Sequence, residues 1–87
     1  MNWSDDATEM MAELLRHLPA SVRETVEEAA ESRAEALTSA DGEDEIAMET
    51  AVRAVVESTP AGQRARLREA LTYHGIDPED YEDSFDS

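Results

Sequence analysis

The sequence predicts an all-α fold: a small bundle of about four helices, followed by a short acidic C-terminal turn or tail. Apolar residues recur at helical spacings of three and four along most of the chain, and no segment alternates like a half-buried strand. Prolines and a glycine separate successive apolar stripes at short intervals. Because 87 residues allow only one core, we predict one helical domain over residues 1–76 and an acidic tail over residues 77–87, with one helical turn at most.

The first helix is predicted over residues 5–18. Either Ser4 or Asp6 can cap its N-terminus, and Asp6 would form a capping box with Glu9. Pro19 disfavours helical geometry in the preceding residue, so the helix should stop there. The expected core stripe comprises Ala7, Met10, Met11, Leu14, Leu15 and Leu18.

The second helix follows Pro19 and is predicted to reach Thr38. Two starts are open: Pro19 as the first helical residue with Leu18 as cap, or Ser21 as cap with Glu24 completing a capping box. Glutamates cover the outer face, and the narrow alanine-rich inner face allows close helix packing. The expected core stripe comprises Val22, Val26, Ala29 or Ala30, Arg33 or Ala34, and Leu37.

A loop over residues 39–44 leads to a third helix, predicted over residues 44–58. Thr59 is expected to cap the fourth helix, with Pro60 as its first residue and His74 near its end. The core face of the third helix comprises Met48, Ala51, Val52, Val55 and Val56, with Ile46 near its start.

Gly75 is suited to end the fourth helix in a Schellman motif, in which Ile76 contacts Leu71. Asp77 can cap a short turn beginning at the following proline, and residues 82–87 are expected to fray.

The charge of the chain is strongly acidic and unusual in its make-up. Twenty-two acidic residues oppose seven basic ones, giving a net charge of −15, and all seven basic residues are arginine. This pattern is typical of proteins from a high-salt cytoplasm, where molar salt shortens the screening length to about 3 Å. An acidic interaction protein from an ordinary cell is the alternative. The charge opposes non-specific binding to nucleic acid and to anionic membranes.

The residues that are present argue against several classes of functional site and indicate where the protein is located. Without cysteine there is no disulfide, thiolate metal site or cysteine nucleophile. The N-terminus does not resemble a signal peptide and no apolar run approaches membrane-spanning length, so we expect a cytoplasmic protein. No catalytic motif and no cofactor-binding loop is present, so neither catalytic residues nor a cofactor are predicted.

Three arginines, Arg64, Arg66 and Arg68, form the densest basic cluster of the chain. They suggest an alternative function, a small nucleic-acid-associated regulator that uses Arg64 and Arg68. Residues two apart point to opposite sides of a helix, so Arg66 cannot share their face. We expect instead a solvated helix that pairs with the acidic tail or with a neighbour.

Two further sets of residues have an ordinary and a functional interpretation. His17 and His74 are the only histidines, and their spacing matches no metal motif, so we predict helix-end histidines rather than a metal site. Trp3 with Met10 and Met11 either packs as a lid over the end of the bundle or forms an adaptable surface for a partner or ligand.

The first half of the chain carries an ordered pattern. It consists of Trp3 followed by Ala7, an acidic helix with Leu14, then Leu18-Pro19, Val22-Arg23, a helix with Glu27 and Ala30, and Ile46 with Glu49. This order, over residues 3–50, resembles the small helical domain at the C-terminus of the B subunit of light-independent protochlorophyllide reductase, which also occurs alone. The chain departs from that domain where Ala20 and Ser21 replace phenylalanines and where Ala47 replaces a capping threonine.

In that family the iron–sulfur cluster and the reductive chemistry belong to the nitrogenase-like body of the complex. The resemblance therefore implies a non-catalytic accessory module that binds a protein partner, with a small tetrapyrrole carrier as a further alternative. Trp3, Pro19, Val22 and Arg23 are the candidate partner-binding residues. Arg23 falls in the first turn of a helix, where the helix dipole disfavours a cation. We expect an acidic neighbour or the partner to hold it.

Overall fold

Five α-helices and one short parallel β-bridge make up the part of the chain that the computed structural model describes, residues 2–86. The all-α class is confirmed. In chain order the elements are β1 (Asn2–Trp3), α1 (Asp5–Leu15), α2 (Ala20–Ala40), β2 (Glu45–Ile46), α3 (Met48–Ser58), α4 (Arg64–Tyr73) and α5 (Glu82–Phe85), with 3₁₀ turns at Ala61–Gln63 and Pro78–Tyr81. No described helix combines the length and apolarity that a membrane crossing requires.

Helix α3 forms the centre of the bundle. It packs against α1, α2 and α5, and this enclosure explains why its apolar residues cover more than one stripe. Its buried residues are Ala51, Val52, Ala54, Val55 and Val56. Helix α2 meets the core through residues spaced by four, namely Val26, Ala30, Ala34 and Thr38. The small side chains on this stripe let the backbones of α2 and α3 approach closely.

The junction between α1 and α2 differs from both predicted arrangements. Helix α1 ends at Leu15, and a tight turn follows in which the amide of Leu18 bonds to the carbonyl of Leu15. Leu18 nevertheless remains buried. Pro19 is the N-cap of α2, with extended ψ, and its carbonyl accepts the amides of Val22 and Arg23. Pro19 is therefore not the first helical residue.

The predicted capping boxes at both helix starts are also wrong. At α1 the side chain of Ser4 accepts the amide of Ala7 at 3.1 Å, so Ser4 rather than Asp6 is the cap. At α2 Ser21 lies inside the helix, because the cap is two residues earlier.

Helix α3 begins at Met48, four residues later than its apolar pattern predicts, and Ala47 is its N-cap. The preceding residues Glu45–Ile46 instead pair in parallel with Asn2–Trp3. A strand of two residues is too short to show alternation, so the sequence pattern gave no sign of it.

Helix α4 also starts later than predicted, at Arg64, after a 3₁₀ turn that follows Pro60. Thr59 does not cap it. Its hydroxyl donates to the carbonyl of Val55 at 2.6 Å, within the end of α3. The residue is buried, so this bond satisfies a hydroxyl that would otherwise be desolvated without a partner.

The C-terminus of α4 has the predicted Schellman geometry. Gly75 has a φ of 77°, and the amide of Ile76 bonds to the carbonyl of Leu71 at 2.8 Å. The predicted cap at Asp77 is also present, accepting the amide of Glu79 at 2.9 Å.

The expected fraying of residues 82–87 is wrong for the described part of that segment. Residues 82–85 form α5, which packs on α3, and Tyr81, Ser84 and Phe85 are buried. The sequence did contain a sign of this packing, namely two aromatic residues in an acidic segment, because a fully solvated tail does not bury aromatic side chains.

Candidate interaction site

Trp3 is held at the edge of the bundle by the β-bridge. It pairs with Ile46, and the amide of Ser4 donates to the carbonyl of Ile46 at 3.1 Å. Ser4 then caps α1, so the bridge and the helix start fix the backbone on either side of the tryptophan. Trp3 is only partly buried, although it packs against the core. Trp3 therefore covers part of the core, as the lid interpretation predicts, and it keeps an exposed face; its contact with a partner or ligand stays a prediction.

The exposed face of Trp3 contributes to an open groove of about 420 Å³ between α1 and α2. Met11 and Leu15 supply apolar surface to this groove, and Glu27 and Glu31 line it from α2. The two glutamates are one helical turn apart and exposed, so they add negative charge beside the apolar surface. We call this depression the tryptophan groove. Its lining residues are Trp3, Thr8, Met11, Ala12, Leu15, Glu27 and Glu31.

The two methionines that accompany Trp3 in the sequence point to different places. Met11 is largely buried and lines the tryptophan groove. Met10 is partly buried and lines a separate depression with Met48 and His74. The three residues therefore do not form one surface.

Arg23 contacts the end of the preceding helix rather than an acidic neighbour. Its Nε donates to the carbonyl of Leu15 at 3.1 Å, and its Nη2 donates to the carbonyl of Leu18 at 3.0 Å. These carbonyls belong to the C-terminus of α1 and the turn beyond it, where helix groups lack intrahelical donors and the dipole favours a cation. Arg23 is unfavourably placed for its own helix and favourably placed for the one before it.

Pro19 and Val22, which precede Arg23 in the family-like pattern, also have structural roles within the fold. Pro19 is the N-cap of α2, and Val22 is partly buried against the core. Of the four candidate partner-binding residues, Trp3 alone is among the residues that line the tryptophan groove. The structure thus separates Trp3 from Pro19, Val22 and Arg23, which together order the α1–α2 junction.

Arg64 and Arg68 face the C-terminal segment. Arg64 donates to the carbonyls of Thr59 at 3.1 Å and Phe85 at 2.6 Å. Arg68 pairs with Glu82 at 2.7 Å, and its guanidinium carbon lies 4.2 Å from the centroid of the Phe85 ring. The predicted pairing with the acidic tail is present at Arg68.

The hydrogen bond between Arg68 and Glu82 determines the electrostatics of their contact. The bond raises the pKa of Arg68 and lowers the pKa of Glu82, because it favours the charged form of each. Both side chains remain partly exposed, so the pair contributes little to the stability of the fold.

A second contact with the tail was not visible in the sequence. One carboxylate oxygen of Glu57 accepts from Arg33 Nε at 2.6 Å, and the other accepts from the Ser84 hydroxyl at 3.0 Å. Glu57 therefore links α2, α3 and α5. No local motif marks such a residue, since its partners are 24 and 27 positions away.

His17 and His74, expected as two independent helix-end residues, meet at the contact between α1 and α4. Their Nε2 atoms are 3.4 Å apart, and the ring of Tyr73 lies edge-on to His74. Tyr73 is the one large apolar side chain that is mostly exposed, at 79%, among the described residues.

Comparisons with protein-family models, with curated proteins and with solved structures gave no significant match in any of the three. The resemblance to the protochlorophyllide reductase domain consequently stays a prediction based on the residues that carry it.

Proposed function

We propose that this chain is a non-catalytic, high-salt-adapted interaction module, similar in role to the accessory helical domain of light-independent protochlorophyllide reductase, and that it binds a protein partner in the tryptophan groove. The observation that carries the proposal is the groove itself: a partly exposed tryptophan beside apolar side chains, with two exposed glutamates on the opposite helix. Exposed tryptophan is costly in a solvated surface and is enriched at protein interfaces.

The chemistry of the groove defines its partner. An apolar side chain would occupy the space beside Trp3 and Met11, and a guanidinium or ammonium group would pair with Glu27 and Glu31. The partner is therefore a basic amphipathic segment, which binds as helices bind in grooves. The net charge of −15 attracts such a segment at low salt, whereas at molar salt only ion pairs in direct contact contribute.

Charge reversal within α2 provides the first test. Glu27→Lys with Glu31→Lys alters the groove, and Glu28→Lys with Glu35→Lys alters exposed positions of the same helix outside the groove lining. Both double variants change the net charge by the same amount. We expect the first pair to reduce binding of a synthetic leucine- and arginine-containing amphipathic peptide at least tenfold in 1 M KCl, and the second to leave it within about threefold.

Ala12→Arg provides the second test, because it fills the groove from an exposed position on α1. Binding is read from the fluorescence of Trp3, the single tryptophan of the chain. Equal losses in both charge-reversal variants would show that the peptide follows net charge rather than the groove, and would refute the proposal. If the peptide leaves Trp3 fluorescence unchanged while a porphyrin quenches it with saturation, the carrier function replaces the interaction function.

The high-salt part of the proposal has its own measurement. Urea denaturation at rising KCl concentration should show a free energy of unfolding that increases up to molar salt, since screening removes the repulsion among 22 acidic residues. A stability independent of KCl would contradict the adaptation and leave the groove tests unaffected.

A further inference from the structure

The two histidines of the chain lie 57 residues apart in sequence and meet in the fold. His17 follows the end of α1 by two residues, and His74 is the C-cap of α4. The two rings are nearly perpendicular, at 86°, with centroids 5.4 Å apart, and their Nε2 atoms face each other at 3.4 Å. The histidine pair is thus set by the packing of two helix ends.

The distance between the two nitrogens indicates what the pair can bind. The two Nε2 atoms are within reach of an N–H···N hydrogen bond, and their separation of 3.4 Å is at the long end for one, because such bonds usually have heavy-atom distances of about 2.7–3.2 Å. Two nitrogen ligands, each about 2.0–2.1 Å from a tetrahedral Zn²⁺ ion, lie about 3.4 Å from each other. We propose that His17 and His74 bind one Zn²⁺ ion through their Nε2 atoms.

The surroundings of the pair favour a cation. Glu69 and Arg66 line the depression beside His17, and Glu13 with other acidic residues lines the one beside His74. Among residues 2–86 no group of three metal-ligating side chains is assembled, so water completes the coordination of the ion.

Zinc at this position would connect the C-terminal ends of α1 and α4. Because its ligands are far apart in sequence, an unfolded chain does not present them together, and binding stabilises the folded state. Binding also requires an imidazole nitrogen that carries no proton, so the ion and a proton compete for the same Nε2 atoms. The site differs from the tryptophan groove in every residue that lines it.

Calorimetric titration of the full-length protein with ZnCl₂ tests the site. Metal-free buffer with 1 M KCl screens weak association with the acidic surface, and MgCl₂ serves as a hard-cation control. We expect one Zn²⁺ per chain, at least tenfold weaker binding in His17→Gln and in His74→Gln, and binding within about threefold of the original in Glu35→Gln, an exposed carboxylate of α2 that lines neither depression. Equal losses in all three variants would assign binding to the acidic surface and overturn the proposal.

Nuclear magnetic resonance of the unaltered protein tests the same site without a substitution. Nitrogen shifts of both imidazoles should report protonated Nδ1 and coordinated Nε2 once one equivalent of Zn²⁺ is present. A change at only one histidine, or none at either, would overturn the proposal. This readout is decisive even if a histidine variant fails to fold.

Discussion

Replacing Arg23 by alanine should lower the free energy of unfolding by about 1–2 kcal/mol, because it removes the guanidinium that caps the end of α1. Two charge-assisted hydrogen bonds are lost, at 3.1 Å to Leu15 and 3.0 Å to Leu18. A bond to a charged group contributes about 1.5–3 kcal/mol when buried, and a cation near a helix C-terminus about 0.3–1 kcal/mol.

The expected value lies below the sum of these figures for two structural reasons. The Leu15 carbonyl keeps the amide of Leu18 as a second donor, at 3.1 Å. Arg23 is also an exposed residue, so water can replace part of what the guanidinium supplies. In a domain of this size, about 1–2 kcal/mol corresponds to a fall in Tm of roughly 5–15 °C.

Arg16→Ala is the matched control, since it removes an arginine at the same end of α1. The Arg16 side chain is 71% exposed and pairs with Glu13, three residues earlier, at 3.1 Å. Such a pair contributes about 0–0.5 kcal/mol. Both variants change the net charge equally, so any general charge effect cancels in the comparison.

Urea denaturation followed by Trp3 fluorescence, in 0.2 M and 2 M KCl, measures the difference. The Arg23 effect should persist at high salt, because hydrogen bonds in direct contact are screened little. Arg23→Lys should fall between the wild type and Arg23→Ala, because an ammonium lacks the planar fork that reaches two carbonyls. An Arg23→Ala stability within about 0.3 kcal/mol of Arg16→Ala would refute the capping role.

Two further predictions concern the C-terminal segment. Phe85→Ala should lower the free energy of unfolding by about 3 kcal/mol in the same denaturation assay, the low end of the range for a buried phenylalanine, because Phe85 is only 6% exposed. Asp86→Ala, at the adjacent exposed position, should be neutral, and an equally neutral Phe85→Ala would mean that α5 does not pack in solution. In a Tyr73→Phe variant, which leaves Tyr81 as the remaining tyrosine, absorbance at 295 nm should give a midpoint above pH 10, because burial, with help from Glu49, raises the pKa of Tyr81. The neutral phenol is favoured in the folded state, so its contribution to stability is complete below about pH 10 and is lost as the pH rises through the raised pKa; a midpoint at or below 10 would contradict the burial.

The resemblance and the structure give Arg23 different kinds of importance. As part of the family-like pattern Arg23 was a candidate contact for a partner, yet its guanidinium donates hydrogen bonds to the preceding helix and the turn beyond it. A proline followed by a valine and an arginine therefore has a structural explanation in this chain: the proline starts α2, the valine anchors it, and the arginine caps α1. The groove beside Trp3 is left as the surface on which a partner is proposed.

Features that depend on neighbours within about five residues were predictable. The apolar stripes placed most of the core in α1 and α3 correctly, although Met10 and Met48 are only partly buried, and Gly75 and Asp77 form the end and the cap expected of them. Helix starts were less predictable, because Ser4 and Asp6, or Pro19 and Ser21, offer competing local caps of similar quality. Which cap is used depends on how the flanking chain packs, as the β-bridge at Trp3 illustrates.

The sequence by itself determined the helical class, the apolar stripes, the acidic surface and the end of α4, because helical periodicity, charge and glycine geometry are local properties. Only the tertiary structure decided that Arg23 caps α1, that Trp3 pairs with Ile46 and lines a groove, and that α5 packs on the core. It also brought together His17 and His74 from positions 57 apart. The physical reason is that these contacts depend on the angles and offsets at which helices pack, and those arise from the whole core rather than from any one segment.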